Sequence, residues 1–449
     1  MDPRTLFVDD ADVERRRDVV RVIHPGRKNA ANPVLRAETP WEQHPICGGT
    51  VLREAGGYRM WYQSYGRGTY LNLYATSADG VSWQRPALRQ YADFDGSLEN
   101  NIFLSRLGLR SPERGPVRVN QDHNPSVLFT PHQGQDRAYT LYSYDYGRSG
   151  YSAYDGYFAA YSADGITWTD GPLHPVIPGH ADVGMFTYDG RDQRFRAIVK
   201  SFLNIRGHSR RSVFTTRSPD GLEWSLPRPA LIPDLEDDAW AEAAGSAGGH
   251  TQFYGMPIFR YESLLLGFLQ VFQVTDVVNP SHDGPVHVQL ASSRDGRTWQ
   301  RVGDRRAVIE RGEPGAWDAG GVYSGNSLVC ADDEVQLYYT GDRATHGGPN
   351  NASAIGQVWW PRDRFVGLAA GAQDGTIELR PQPARASLHL NADAARGEIL
   401  VELGGTGQRL RVSGDALDHR FEVPASAHGQ PVRVVLHLTS AEVFSLWWE

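Results

Sequence analysis

Only two cysteines, Cys47 and Cys330, occur in 449 residues. That excludes a disulfide framework and fits a reducing compartment. Neither sits in a motif that lowers a thiol pKa, so both read as small buried apolar residues. No apolar run approaches a membrane span, and the opening MDPRTLFVDDADVERRRDVV lacks the apolar stretch of a signal peptide. The expectation is a soluble cytoplasmic chain with no membrane partner. Basic residues number 45 against 53 acidic, a net charge of -8, with no Lys/Arg-rich tract. Nucleic acid is therefore excluded as an expected partner. Helical periodicity is nearly absent.

What the chain has in quantity is turn formers and aromatics: 48 Gly, 27 Pro and 11% Phe, Trp and Tyr, a mixture that suits short strands joined by tight turns. One turn recurs. Ser-x-Asp-Gly-x-x-Trp stands at Ser77 to Trp83, Ser162 to Trp168, Ser218 to Trp224 and Ser293 to Trp299. Asp-Gly is a strong hairpin signal, because Asp bonds its own downstream backbone and Gly accepts positive φ. Around the first copy, GGTVL, YRMWYQSY, LYATS and WQRP make four short strands, which is one propeller blade. Three further units follow, and a fifth, ending in RDRFVG, has Arg364 and Phe365 in place of Gly and Trp. Beyond it, alternating strands without the repeat read as a β-sandwich. The expected fold is all-β: an N-terminal extension (1–40), a five-bladed β-propeller (41–366) and a C-terminal β-sandwich (367–449). The recurring Asp79, Asp164, Asp220 and Asp295 read as structural, because every turn needs one.

The order LFVDD, NPVL, PWE, YRMWYQSY, four Asp-Gly turns, GHADVGMFTYDG, VYSGNSLV, YYTGD, RDRFVGL and LHLNADAARGEILVEL resembles bacterial proteins similar to glycoside hydrolase families 32 and 43. The resemblance implies a five-bladed propeller, often with a C-terminal sandwich. It also implies three carboxylates on the inner strands of the first three blades, around an axial pocket. The NDPNG, RDP and EC signatures of family 32 are missing, which argues against sucrose and fructan as substrates.

Placed on this sequence, the implied carboxylates are Glu42 of PWEQHP, Asp122 of NQDHNPSVL and Asp182 of GHADVGMF. Glu42 has an alternative use as a tie between the N-terminal segment and blade one. Blade three has no Glu on its first strand, so Glu242 of DLEDDAWAEAAG is the candidate general acid, with Asp318 of AWDAGG on the same rim. Histidines precede or open the inner strands, as His44, His123, His180 and His250, and His346 follows the second strand of blade five. They are expected to contact substrate. No cofactor is expected, with a divalent metal at this His-lined axial site as the alternative. Of the aromatics, Tyr254 and Tyr323 on inner strands are the candidates for stacking on sugar. The expected function is a glycosidase-like enzyme acting on a carbohydrate or glycosylated small molecule. A metal-assisted lyase, isomerase or cyclase and a non-catalytic sugar-binding protein are the alternatives.

Overall fold

The computed structural model describes residues 3–449 except 67–68, 93–95, 106–109, 112–114, 117–121, 146–154, 247, 279–281 and 350–351, with backbone alone for 44–48, 66, 69, 110–111 and 115–116. Five antiparallel blades surround one axis. Blade one runs His44–Glu54, Gly57–Gly66, Thr69–Ser77, Trp83–Gln84, and blade two runs His123–Phe129, Tyr139–Asp145, Gly156–Ser162, Thr169–Asp170. Blade three is Gly184–Asp189, Arg194–Ile205, His208–Ser218 and Arg228–Leu231. Blade four has His250–Gly255, Leu264–Val274 and Val286–Ser293 with Gln300–Arg301 outside. Blade five has Gly321–Cys330, Glu334–Asp342 and Ser353–Pro361. Apolar side chains meet between blades: Trp61 and Phe103 pack with Leu141, Tyr142 with Phe186, Ile198 with Leu269, Leu266 with Leu337, and Tyr338 with Met60.

The repeated turn does more than reverse the chain. Ser77 Oγ donates to Asp79 Oδ1 at 2.9 Å and accepts from the Gly80 amide at 2.8 Å, while the same Asp79 oxygen accepts the Val81 and Ser82 amides. The other three copies repeat this pattern. Each glycine carbonyl is then bonded by the preceding blade. Tyr338 Oη donates to Gly80 O at 2.7 Å, Trp61 Nε1 to Gly165 O at 2.6 Å, Tyr142 Oη to Gly221 O at 2.8 Å and Thr215 Oγ1 to Gly296 O at 2.8 Å. The motif is thus a buckle between blades as well as a hairpin, which accounts for its recurrence.

Blade five departs from the sequence reading. RDRFVG was expected as its fourth strand, but Val366–Ala370 pairs with Ala441–Trp448 and Val20–Ile23 in the other sheet. The outer strand of blade five is instead Arg27–Lys28, paired with Val358 and Trp359. A strand supplied from the N-terminus needs no hairpin, so the fifth copy of the motif is not required. At the corresponding turn Asp363, at φ 66, accepts from Tyr261 Oη of blade four, from Arg4 Nη1 and from Ser445 Oγ, each at 2.7 Å. A buried carboxylate therefore joins blade four, the N-terminal segment and the sandwich.

The first 40 residues are not an appendage: Thr5–Leu6, Val13–Arg17 and Val20–Ile23 belong to a nine-stranded sheet. That sheet curls along the long strand Ser387–Leu403. Its first half pairs with Ala441–Trp448, and after a break in register its second half pairs with Val434–Thr439. Side chains from both halves, among them Leu390, Ile399, Leu436 and Leu446, share one core, which makes the sheet a sandwich. Among the described residues no helix is long and apolar enough to cross a membrane.

The buckle has a test. A Cβ on Gly165, at φ 75, would lie 2.8 Å from both Trp61 Cζ2 and Arg59 Nη2, whereas one on Gly207, at φ 79, would meet nothing within 4 Å. Both Ala substitutions carry a left-handed penalty of about 1 kcal/mol. Gly165→Ala should cost about 1–3 kcal/mol more through the forced shift, read from urea midpoints. Equal losses would show that the turn is not tightly seated on blade one.

Candidate active site

The inner strands all begin at one end of the propeller, so residues just before them converge there. In blade three a sharp turn at Gly179 and His180, both at positive φ, turns the chain inward. Residues 181–183 then continue the ladder: Ala181 N–H donates to Lys200 O at 2.9 Å and Lys200 N–H to Val183 O at 2.8 Å. Asp182 consequently lies opposite Lys200, whose Nζ is 2.7 Å from Asp182 Oδ1 and 4.3 Å from the Tyr254 ring centroid. The Lys200 side chain is buried, while that of Asp182 is 33% exposed. Burial alone would raise the pKa of Asp182. The Lys200 ammonium and His123 outweigh it and hold the carboxyl well below the usual carboxylate range. Asp182 is therefore an anion, able to attack, to accept a proton or to stabilise positive charge.

His123 faces it from blade two, with Nε2 3.7 Å from Asp182 Oδ2. Its tautomer is set by blade one. Gln63 Nε2 donates to Asn72 Oδ1 and to Asp122 O, each at 2.9 Å, which turns Gln63 Oε1 toward His123 Nδ1, also at 2.9 Å. The ring proton is thus on Nδ1, and Nε2 presents a lone pair. Burial, opposed by Asp182 and reinforced by Lys200, lowers His123 to about 4. Tyr70 covers the ring at 4.3 Å. A ligand entering here meets two acceptors side by side.

Blades four and five supply the other wall. His346 Nδ1 donates to His282 O at 3.2 Å, so its Nε2 accepts from Tyr254 Oη at 3.1 Å. Tyr323 packs edge-on against Tyr254 at 5.5 Å. Burial, together with Arg211 and Lys200, lowers His346 to about 4. His250 is buried, stacked on His208 at 4.1 Å, with Nδ1 donating to Gly248 O. Gln252 donates to His250 Nε2 at 2.9 Å and to His282 Nδ1 at 3.0 Å, and accepts from Arg211 at 2.6 Å. Burial is also the chief cause that lowers His250 to about 4.

Asp182, His123, Tyr254, Tyr323 and His346 are therefore brought together as the sequence suggests, while others go elsewhere. Glu42 is fully enclosed: its carboxylate accepts from Glu38 N, Thr39 N, Arg85 Nε and Tyr62 Oη. It ties the N-terminal segment to blade one and has no oxygen open to a ligand. Asp318 is likewise buried, bound to Lys28 Nζ at 2.6 Å and Tyr339 Oη at 2.9 Å, where it anchors the outer strand of blade five. Glu242 projects exposed from the helix Leu235–Ala243. Asp122 is buried, with one oxygen accepting from Ser143 at 2.9 Å. His180 keeps a buried Nδ1 without a hydrogen-bond partner among the described residues. The side chain of His44 lies outside the described residues. Among the described residues no group of three or more His, Cys, Asp or Glu is placed to hold a metal ion.

Lys200, Gln63, Gln252 and Arg211 were not anticipated. The available signal was a polar residue inside an otherwise apolar or aromatic strand, as in RAIVKSF, MWYQSY and TQFYG.

No family model and no curated protein sequence matches the chain. Among solved structures it is similar to a glycoside hydrolase family 32 β-fructofuranosidase of Bombyx mori, 10% identical over 94% of each chain, TM-score 0.44. It is also similar to a β-1,2-mannobiose phosphorylase from Listeria innocua, 10% identical over 75% of this chain and 97% of that one, TM-score 0.48. A third is an N-acetylgalactosamine deacetylase from F. plautii, 14% identical over 78% and 97%, TM-score 0.46.

Two measurements check the electrostatics. In a carboxyl-carbon NMR titration Asp182 should titrate well below the usual carboxylate range, and Lys200→Met should move it up by at least about one unit, since burial then acts with less opposition. An unmoved titration would remove Lys200 as the cause. Second, His123, His250 and His346 titrate near 4 when folded and at about 6.5 when unfolded. The unfolded chain binds protons first, so stability should fall on acidification from about pH 6.5 toward 4. Each histidine contributes a slope of up to about 1.4 kcal/mol per pH unit, and His346→Gln should flatten the slope. Stability that is level across this window would contradict the assignment.

Proposed function

We propose that this chain is an enzyme that cleaves or transfers a glycosyl unit, furanoside or pyranoside, with Asp182 as its working carboxylate. One observation carries the reading: Asp182 is ionised, partly exposed, anchored through Oδ1 by Lys200 and turned through Oδ2 toward an unprotonated histidine nitrogen. Glycoside cleavage develops positive charge at the anomeric carbon and needs a carboxylate to attack it or to activate water. Lys200 keeps Asp182 in the required anionic form. His123 Nε2, its lone pair aimed by Gln63, takes the proton of the water or sugar hydroxyl whose oxygen bonds to the anomeric carbon, while the departing glycosidic oxygen takes a proton from solvent. Tyr70 against His123 and Tyr254 against Lys200 add aromatic surface to the wall around the carboxylate's two partners, of the kind that packs on the C–H faces of a sugar.

A saccharide-binding protein without turnover is the second reading. It is favoured by the fate of the other expected carboxylates: Glu42 and Asp122 are enclosed and Glu242 stands exposed on its helix.

Sugar release from a pooled panel of furanosides and pyranosides separates the readings. Asp182→Asn should lower the rate by more than about a hundredfold while binding persists. An unchanged rate removes Asp182 from the mechanism. Saturable binding with no release by the native protein establishes the second reading instead.

A further inference from the structure

A cleft of about 590 Å³ lies on blade four, lined by His287, Ala307, Glu310, Arg311, Pro314 and Ala319 among others. It backs onto the site described above without sharing its residues. Val286 packs in the cluster that Tyr254 and Tyr323 cover, and its strand neighbour His287 points to the opposite face. The strand Val286–Ser293 is thus a partition between the two.

The cleft has a fixed hydrogen-bond donor. Asp237 on the helix holds Arg301 Nη1 at 2.8 Å, and the Arg301 guanidinium donates to Gln289 Oε1. That orients the amide so that Gln289 Nε2 donates to His287 Nε2 at 2.9 Å. The proton of the neutral ring is then on Nδ1. Burial, with the Arg311 and Arg301 cations, lowers His287 to about 4, so the ring is neutral near pH 7. Arg311 is pinned through Nη1 to Ala319 O at 2.9 Å, with its other N–H groups still to donate. Glu310 adds exposed carboxylate oxygens, and Ala307, Pro314 and Ala319 add C–H surface.

A neutral donor, a cation and a carboxylate over a small apolar floor complement a sugar ring. Its hydroxyls both donate and accept, and its C–H face packs. The volume lies within the ~300–1,000 Å³ of small-ligand sites. A cation and a carboxylate lining one cleft fit a neutral ligand better than an anion, which Glu310 would repel. We infer that this cleft is a second saccharide-binding site, taking one neutral mono- or disaccharide unit independently of Asp182.

Saturation-transfer NMR on the full chain with methyl glucoside, galactoside, mannoside, arabinofuranoside and fructofuranoside tests it. At least one glycoside should saturate equally in native protein and Asp182→Asn, and lose at least fivefold of its signal in Arg311→Gln and in Glu310→Gln. Both side chains are exposed, so an unchanged melting temperature should certify the fold. If no signal that survives Asp182→Asn is sensitive to Arg311→Gln, the inference is overturned. A signal lost only in Asp182→Asn concerns the other site alone.

Discussion

Apart from one parallel bridge between Val286 and Gly321, the inner edges of the blades present backbone N–H groups outside the strand ladders, and the structure depends on how those groups are satisfied. Hydroxyls of neighbouring inner strands do it. Thr50 accepts from Val127 N at 2.9 Å, Ser126 from Phe186 N at 3.3 Å and Ser327 from Val51 N at 2.6 Å, linking blades one to two, two to three and five to one. Ser324 Oγ in turn donates to Phe268 O, tying blade five to blade four. Each bond contributes about 1 kcal/mol net, but an unmet buried amide costs more. The four Ser-x-Asp-Gly turns bind four of the five blade junctions, and the Tyr261–Asp363 hydrogen bond joins blade four to the turn after blade five.

That closure gives the site its precision. Asp182 comes from blade three, His123 from blade two, its orienting Gln63 from blade one, Tyr254 from blade four, and His346 from a loop of blade five. No single blade contains a working set. A shift between blades two and three would change the 3.7 Å separation of His123 Nε2 and Asp182 Oδ2 together with the Tyr142–Phe186 stacking between the same blades. Lys200 is the element that makes the partly buried anion tolerable: a charge of opposite sign at 2.7 Å offsets desolvation that would otherwise raise the carboxyl's pKa.

The all-β architecture was legible because its devices are local. Asp-Gly turns, alternating strands and the loss of the motif after blade four each reside within a few residues. What was not legible is long-range. Nothing within RDRFVG announces that its strand joins the sandwich, because the competing partner, Arg27–Lys28, is more than 300 residues away. For the site, the start of an inner strand located Asp182 and His123 beside each other, and the strands themselves located Tyr254 and Tyr323 in contact. Proximity to a strand start failed for Glu42, because Arg85 and Tyr62 compete for its carboxylate. It failed for Asp318, because Lys28 arrives from the N-terminus. Gln63 and Lys200 act through second strands, where sequence shows only a polar residue in an apolar run.

On the proposed function a sugar is held against an anionic Asp182 at the convergence of the inner strands. A crystal structure of Asp182→Asn grown with an oligosaccharide it binds tests this most directly. The account predicts an anomeric carbon beside the substituted side chain, with a hydroxyl or water on His123 Nε2 and a ring face on Tyr254 or Tyr70. A saccharide bound elsewhere, with the substituted side chain facing only solvent, would contradict it.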